Sequence, residues 1–216
     1  MNRVIIIGAG GHAAEIADYI NFSSNREDNQ LKIIGLLDDN PESYKCYGFE
    51  APFLGNIKEH MIRKDVSYLM GIANLKYRKP IIQDFLLKGA EFLTFVHPTA
   101  TISRTVEIGI GSIIGPYVNL GPNVRVGTFN LINSRCSLGH DTKIGDYNFI
   151  SPNVCFSGFT KIGDENLFGI NSATIPNVRV GNKNKIAAGM VIDQNIKDSE
   201  VVFYRFKERV IAIPRS

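Results

Sequence analysis

Cysteine is scarce in this sequence, and its few copies have no spacing that would hold a metal ion or a disulfide framework. The 216 residues include Cys46, Cys136 and Cys155, with no Cys-x-x-Cys pair and no His/Cys/Asp cluster at ligand spacing. Cys136 and Cys155 fall inside the repeat described below, where buried thiols are favoured over a disulfide. The sequence therefore predicts no bound metal and no disulfide-stabilised fold.

Long apolar runs and dense basic runs are also missing. No stretch reaches the roughly 20 apolar residues of a membrane span, and no signal peptide precedes the first predicted strand. The formal net charge of +3, without a dense Lys/Arg run, argues against nucleic-acid binding. We therefore expect a cytoplasmic protein of two modest domains that binds neither nucleic acid nor a membrane.

The dominant pattern is an apolar residue at every sixth position. Sixteen of seventeen such positions are apolar, and Thr174 is the exception. A chain with 44% hydrophobic residues would give about seven or eight by chance. The positions are Val96, Ile102, Ile108, Ile114, Leu120, Val126, Ile132, Leu138, Ile144, Ile150, Phe156, Ile162, Phe168, Thr174, Val180, Ile186 and Ile192.

A period of six fits neither a helix nor an alternating strand. It predicts a solenoid in which three hexads close a triangular coil of eighteen residues, and successive coils stack about 4.8 Å apart. Glycine follows the apolar position nine times, which predicts tight corners there: Gly109, Gly115, Gly121, Gly127, Gly139, Gly145, Gly163, Gly169 and Gly181. Four asparagines lie eighteen apart and are expected to stack at one corner: Asn130, Asn148, Asn166 and Asn184.

Alternating strand and helix signals precede the repeat and predict a small Rossmann-like parallel sheet with helices on its faces. They are strands at 4–7, 33–37 and 66–72, helices at 15–20 and 81–88, and an extended segment at 92–96. The predicted fold class is thus an α/β domain followed by an all-β parallel helix of hexapeptide repeats. We place the domains at 1–95 and 96–197, with a C-terminal tail at 198–216.

A glycine-rich loop joins the first predicted strand to the first predicted helix. Gly10 and Gly11 would let backbone N–H groups approach a phosphate at the helix N-terminus. Asp38 or Asp39, after the second strand, would accept from a ribose hydroxyl or a base, unless both are solvated carboxylates beside a simple turn. His12 either donates to the ligand or is exposed in the first helical turn. About 95 residues are too few for a full dinucleotide fold, so one nucleotide is favoured.

Several motifs together resemble one bacterial family. They are Ile7-Gly8-Ala9-Gly10-Gly11-His12, Leu37-Asp38-Asp39, Gly71-Ile72-Ala73-Asn74 with Arg78, His97-Pro98-Thr99-Ala100, Gly139-His140-Asp141, Ile144-Gly145-Asp146 and Gly169-Ile170-Asn171-Ser172. On these residues the chain resembles the sialic-acid O-acetyltransferase (NeuD/PglD-like) family of hexapeptide-repeat nucleotide-sugar acetyltransferases, which serve polysaccharide and protein-glycan synthesis. The resemblance implies a nucleotide-sugar-binding N-terminal domain, a left-handed β-helix that binds acetyl-CoA, and a homotrimer with clefts between neighbouring helices. The left hand comes only from the resemblance, since the general crossover rule favours the other hand.

The resemblance also assigns His140 as the catalytic base and Asp141 as its partner. An imidazole can take the proton from a sugar amine as it attacks a thioester, and a carboxylate fixes its tautomer. Neighbours on a strand point to opposite faces, so Asp141 reaches back only if a corner intervenes. Gly158, one coil after His140, leaves room for the acetyl group and offers a bare N–H as an oxyanion donor.

The family resemblance also assigns less specific roles to four further residues. Ile170 and Ala188, one coil apart, are assigned to the pantetheine of acetyl-CoA. Asn74 and Arg78 either hold the nucleotide-sugar ligand or serve as a helix cap and a surface residue.

The predicted function is transfer of an acetyl group from acetyl-CoA to the amino group of a nucleotide-linked 4-amino-deoxy sugar, directly and without an acyl-enzyme. An O-acetyltransferase of a sialic-acid-type sugar and a non-catalytic hexapeptide scaffold or sensor remain as alternatives. Two departures from the family bear on these: Phe149 stands where many members carry a histidine, and the usual C-terminal Gly-x-Pro-Ala-Lys segment is absent. The aromatic and basic segment 201–206 stands in its place, either to cover CoA or to form a subunit contact.

Overall fold

The computed structural model describes residues 2–24 and 31–204. Its N-terminal part is a four-stranded, wholly parallel sheet in the order β2-β1-β3-β4, as the sequence predicts. The strands are β1 Asn2–Ile7, β2 Leu31–Leu37, β3 Ser67–Met70 and β4 Glu91–Phe92, and the helices are α1 Gly11–Ser24, α2 Pro41–Lys45 and α3 Leu75–Leu87.

Two helices differ from the sequence-based expectation. The short α2 follows Asn40, whose side chain accepts from Glu42 N at 3.2 Å, and no apolar periodicity announces it because none of its residues is buried. Helix α3 begins at Leu75 and not near residue 81, because the Asn74 side chain caps it by accepting from Lys76 N at 3.0 Å.

The repeat folds into a parallel solenoid of eighteen two-residue strands, β5 to β22, arranged on three faces. The apolar face holds β5 Phe95–Val96, β8 Ile113–Ile114, β11 Leu131–Ile132, β14 Phe149–Ile150, β17 Leu167–Phe168, β20 Lys185–Ile186 and β22 Val201–Val202. The neutral face holds β6 Thr101–Ile102, β9 Asn119–Leu120, β12 Ser137–Leu138, β15 Cys155–Phe156, β18 Ala173–Thr174 and β21 Val191–Ile192. The charged face holds β7 Glu107–Ile108, β10 Arg125–Val126, β13 Lys143–Ile144, β16 Lys161–Ile162 and β19 Arg179–Val180.

The coil length is eighteen residues for the strands from β5 to β21, as predicted, and it falls to sixteen in the last coil, where Lys185 pairs with Val201. Ser137 pairs with Cys155 on the neutral face, and Lys143 with Lys161 on the charged face, each eighteen positions on. The sixth-position residues fill the core of the prism, with Leu138, Ile150 and Phe168 fully buried. The faces meet at corners of four residues.

The corners turn at a different position from the one that the glycines suggest. In every hexad from Tyr117 to Lys183, the third residue after the apolar position has a positive φ between 54° and 66°. The glycines directly after the apolar residues do not; they lie where coils approach most closely. A Cβ on Gly139 would lie 2.7 Å from Gly158 N, and one on Gly109 would lie 2.5 Å from the carbonyl of Gly127. Close packing between coils, and not turn conformation, therefore requires glycine there.

The asparagine ladder forms as predicted, at the corner between the charged and apolar faces. Asn148 Oδ1 accepts from Asn166 N at 2.8 Å and Asn166 Nδ2 at 3.0 Å, and Asn130 Oδ1 accepts equivalently from Asn148. Asn184 continues the stack by donating its backbone N–H to Asn166 Oδ1 at 2.8 Å.

The α/β domain packs on the apolar face of the solenoid. Phe95, Ile113 and Leu131 share a buried cluster with residues of β1 and α1, and Phe129 extends a second cluster beneath α3. The solenoid also runs into the segment assigned to a tail, because β22 pairs with β20; residues 205–216 lie outside the described residues. No helix within 2–24 and 31–204 combines the length and apolarity that crossing a bilayer needs.

Candidate active site

His140 and Asp141 lie at the corner that leads from the neutral face to the charged face. Asp141 has a φ of 60°, so the chain turns between the two residues and their side chains meet. His140 Nδ1 and Asp141 Oδ2 are 2.9 Å apart, and the imidazole is 58% exposed. The corner that the sequence requires for this pair is therefore present.

Asp141 is held in place by a residue that sequence reasoning missed. Asn123, one coil earlier, donates from Nδ2 to Asp141 Oδ1 at 3.1 Å. The hydrogen bond from His140, and then that from Asn123, holds the pKa of the Asp141 carboxyl below its ordinary value. The eighteen-residue spacing contains the signal, because it aligns position 123 with position 141.

Gly158 lies directly beside the imidazole, as the coil length predicts. A Cβ on this glycine would lie 2.8 Å from both Nε2 and Cε1 of His140. Among the described residues the Gly158 N–H has no hydrogen-bond acceptor. Phe159, also missed from the sequence, packs its ring edge-to-face against the imidazole at a centroid distance of 5.0 Å. The corner thus combines an imidazole, a carboxylate partner and an unused amide donor.

Ile170 and Ala188 do not join this group within one chain. Both are exposed, and both lie at the corner between the apolar and neutral faces. Ile170 is two residues after Phe168, and Ala188 is two residues after Ile186. The width of the neutral face separates them from His140. Phe149 lies on the apolar face, where it packs against the cluster that joins the solenoid to α1.

The glycine-rich loop and the carboxylates after β2 form a second group, at the carboxyl edge of the α/β sheet. Asp38 accepts from Ala9 N at 2.7 Å through Oδ2 and from Asn40 N at 2.9 Å through Oδ1. Asp39 accepts from Ile57 N at 3.0 Å through Oδ1 alone. Both carboxylate oxygens of Asp38 thus accept hydrogen bonds that shape the loop. Asp39 is exposed, and only one of its two carboxylate oxygens accepts a hydrogen bond from the described residues.

Gly10, Gly11 and His12 begin α1 beside these carboxylates. No heavy atom lies within 4 Å of a Cβ built on Gly10, so this part of the loop is open. His12 is not exposed as one alternative supposed: its side chain is only 10% exposed, and Nδ1 lies 3.1 Å from Glu15 Oε2. Its Nε2 is buried and has no partner among the described residues.

Arg78 occupies a different environment from either one expected. Its side chain is 1% exposed, donating to Ile72 O at 3.0 Å and, across the domain boundary, to Phe129 O at 3.1 Å. Burial lowers its pKa to about 10. The guanidinium therefore ties the loop after β3 to the solenoid, while its Nε is buried without a partner among the described residues. Asn74 is the cap of α3, which was one of its two expected roles.

No metal centre accompanies these sites. Within the described part of the chain, no three His, Cys, Asp or Glu side chains are grouped to hold an ion.

Fold and site together define a hexapeptide-repeat β-solenoid joined to a small α/β domain, with a His–Asp pair on an exposed corner. Residues 3–85 match the family model described as the PglD N-terminal domain. The match confirms the resemblance seen in the sequence.

A curated relative and several solved structures extend the likeness. UDP-N-acetylbacillosamine N-acetyltransferase from Bacillus subtilis (strain 168) is 29% identical over 118 residues, 53% of this chain and 51% of that protein. The alignment thus spans about half the length of the curated relative.

The acetyltransferase domain of PglB from Neisseria gonorrhoeae FA1090 superposes with a TM-score of 0.81 at 22% identity, over 93% of this chain and 96% of that one. The same domain has been solved in complex with acetyl coenzyme A. PerB from Caulobacter crescentus, in complex with CoA and GDP-perosamine, gives a TM-score of 0.79 at 22% identity over 93% of each chain. The solenoid is the left-handed β-helix of these acetyltransferases, with about six turns.

Proposed function

We propose that this protein transfers the acetyl group of acetyl-CoA to the amino group of a nucleotide-linked 4-amino-deoxy sugar. The observation that carries the proposal is the His140 corner, where Nδ1 is paired with Asp141 and Nε2 lies against the bare backbone of Gly158. The relatives support the substrate class, since one is named for UDP-N-acetylbacillosamine and another is solved with CoA and GDP-perosamine.

The chemistry follows from the free imidazole nitrogen. Asp141 fixes the tautomer with the proton on Nδ1, so Nε2 can take a proton from the sugar amine as its nitrogen bonds to the thioester carbonyl carbon. The Gly158 N–H donates to the carbonyl oxygen as it becomes an oxyanion. When the C–S bond breaks, the imidazolium returns the proton to the CoA sulfur. Acetyl transfer is direct, and no protein nucleophile is needed.

The nucleotide of the acceptor binds at the carboxyl edge of the α/β sheet. Gly10 supplies open backbone for a phosphate just before α1, and at Gly11 the Tyr47 hydroxyl lies 3.0 Å from where a Cβ would be. The buried and unpartnered His12 Nε2, and the free oxygen of Asp39, provide side-chain contacts. Asp38 and Asn74 shape the two loops around this site.

A homotrimer supplies the rest of the acetyl-CoA site. Ile170 and Ala188 lie one corner away from His140, so a second copy must bring that corner against the first to enclose the cofactor. The outward residues of the neutral face favour such contact because none is charged: Thr101, Asn119, Ser137, Cys155, Ala173 and Val191. The outward residues of the charged face are all ionised and oppose it.

The test is thiol release from acetyl-CoA with a panel of nucleotide-linked amino sugars, each paired with the matching hydroxyl sugar. We expect turnover with the amine and not with the hydroxyl, and at least a 100-fold loss of kcat in His140→Ala, the order of a general base's contribution. Lys161→Ala on the charged face is the matched control and should keep full activity. Unchanged turnover in His140→Ala overturns the base assignment, and a mass shift of the protein after acetyl-CoA alone overturns direct transfer.

A further inference from the structure

Thr174 is the one polar residue among the seventeen sixth-position residues, and it lies one coil beyond Phe156, which precedes the corner that holds Gly158. Its side chain points into the prism core and is only 4% exposed. A hydroxyl in an apolar core costs free energy unless it is hydrogen-bonded. Its partners therefore show what the hydroxyl is for.

Those partners form a closed ring around Ser157. Ser157 N donates to Thr174 Oγ1 at 3.2 Å, the Thr174 and Thr160 hydroxyls are 2.9 Å apart, and Thr160 Oγ1 donates to Ser157 O at 2.7 Å. Because the Thr160 proton goes to Ser157 O, the Thr174 proton must go to Thr160 Oγ1. Each hydroxyl donates once and accepts once, so the direction of every bond is fixed.

The Ser157 carbonyl, which accepts from Thr160 Oγ1, belongs to the same peptide unit as the Gly158 N–H. In a planar trans peptide the C=O and N–H point in opposite directions. The buried Thr160 hydroxyl is the nearest donor to Ser157 O at 2.7 Å, with Thr142 Oγ1 and Thr160 N both at 3.4 Å, so the Gly158 N–H points away from this group of donors. Hydrogen bonds to a carbonyl also polarise the N–H of the same peptide and strengthen it as a donor.

We infer that Thr174 and Thr160 are positioning residues that aim and polarise the Gly158 N–H for the developing oxyanion. The inference rests on the proposed acetyl transfer and deepens it. It also accounts for the single break in the hexad pattern, because an apolar residue at position 174 would leave Ser157 N without this acceptor and the Thr160 hydroxyl without its donor.

The first test is kinetic. Thr174→Val and Thr160→Val each remove one hydroxyl at nearly constant volume, and valine at 174 restores the apolar pattern. We expect kcat to fall about tenfold, less than the loss of a whole oxyanion donor, with the KM values for both substrates unchanged. Thr174→Ser, which keeps the hydroxyl, should restore kcat. Ser112→Ala is the matched control: it removes a buried hydroxyl that donates to Gly127 O at 2.9 Å, remote from His140, and should leave kcat unchanged.

The second test needs no substrate. Ser157–Gly158 is the only Ser–Gly step in the 216-residue sequence. Labelling serine carbonyls with ¹³C and glycine with ¹⁵N therefore gives a single amide–carbonyl correlation in the NMR spectrum. We expect the carbonyl shift to move upfield in Thr160→Val and Thr174→Val, as a hydrogen bond is weakened, and to stay in place in Thr174→Ser and Ser112→Ala.

The kinetic and NMR measurements distinguish a failure of the proposed function from a failure of the inference about Thr174 and Thr160. If the wild type acetylates no sugar of the panel, the proposed function fails, and the correlation still reports whether the hydroxyls orient this peptide. An unmoved correlation in both valine variants overturns the inference. So does a Thr174→Val enzyme that keeps kcat within about twofold of wild type.

Discussion

Gly158 has a backbone conformation that any residue can adopt, yet a side chain there would collide with the imidazole of His140. The Gly158→Ala variant should therefore fold normally while its methyl group displaces the imidazole from the space above residue 158. We expect kcat to fall by about 100-fold, the scale of a lost general base, with a melting temperature close to that of wild type. Steady-state kinetics with thermal unfolding checks both, and full activity would mean that the two residues do not act together.

Asp141 contributes by orienting the imidazole as a charged partner. Asp141→Asn keeps the shape and tolerates the positive φ, but it removes the charge that stabilises the imidazolium. We expect kcat to fall about tenfold, because the carboxylate is partly exposed and solvent screens it. Asn153 occupies the same turn position at another corner, where it accepts from Arg135 at 2.9 Å. Asn153→Ala should leave kcat unchanged, and an equal loss in both variants would indicate a folding effect.

The family resemblance located His140 and Asp141 in the sequence, and the turn at Asp141 brings their side chains together. The coil length added Gly158, because it converts a sequence distance of eighteen into spatial contact. Asn123 and the two threonines were missed because their roles depend on which way a side chain or peptide points. The surface role considered for Arg78 was wrong, because no sequence signal distinguishes a buried arginine bonded to carbonyls from an exposed one.

The asparagine ladder stabilises one edge of the prism through buried amides. In Asn148→Ala, Asn166 loses the acceptor of its N–H, so we expect a loss of about 2–4 kcal/mol in the free energy of unfolding. Asn184 is the last asparagine of the ladder: its Oδ1 accepts from Glu200 N at 2.7 Å, but its Nδ2 has no partner among the described residues, so its side chain makes fewer hydrogen bonds than that of Asn148. Asn184→Ala should therefore cost less. Urea unfolding of both variants measures the order, and a reversed order would contradict a ladder held by side-chain amides.

The segment before β3 is stabilised by a hydrogen bond between His60 and Tyr68. His60 Nε2 lies 2.9 Å from the Tyr68 hydroxyl, and burial, then the nearby Arg63, lowers the His60 pKa below its ordinary value. The unfolded chain thus binds this proton more readily than the folded one, so stability is present above about pH 6.5 and falls as the pH drops through the folded pKa.

His60→Gln should flatten this part of the pH dependence of stability, because glutamine does not titrate. Chemical unfolding at a series of pH values from 7.5 to 5 compares the two proteins, with His12→Gln as a control at an unrelated position. Parallel curves for wild type and His60→Gln would show that another group governs the loss.

At the level of elements, the hydrophobic period identified the strands from β6 to β21, since the second residue of each of these strands faces the prism core. It did not identify β22, which the sequence analysis assigned to the tail. It could not show how the corners turn. Arginine, tyrosine and lysine adopt positive φ there as readily as asparagine, so composition carries no signal for those positions.

For the whole molecule, the three cysteines report on assembly. Cys136 is buried and its pKa is raised to about 12 by burial, whereas Cys46 and Cys155 are exposed in a single chain. If copies associate through the neutral face, iodoacetamide at pH 8 should label Cys46 quickly, Cys155 slowly and Cys136 only after unfolding. Mass spectrometry of the labelled peptides gives the three rates. Equal rates at Cys46 and Cys155 would place the subunit contact elsewhere.

The architecture of the whole chain could be predicted as an α/β domain on a solenoid, but two features could not. The hand of the coil came from the family resemblance, because the general crossover rule favours the opposite hand. The docking of the α/β domain on the apolar face depends on Phe95, Ile113 and Leu131, which in sequence look like ordinary strand residues.

The nearly constant coil length has a consequence for how such a protein can change. The last coil shows that a corner can lose two residues while the next strand still pairs, since Lys185 pairs with Val201 after sixteen residues. Adding a complete coil would preserve the pairing of every strand. The distance from His140 to the far end of the prism is therefore adjustable only in whole steps of about 4.8 Å. The length of prism available to a carrier arm that lies along it therefore changes only by whole coils. Donors of different length would require a different number of coils and not a reshaped pocket.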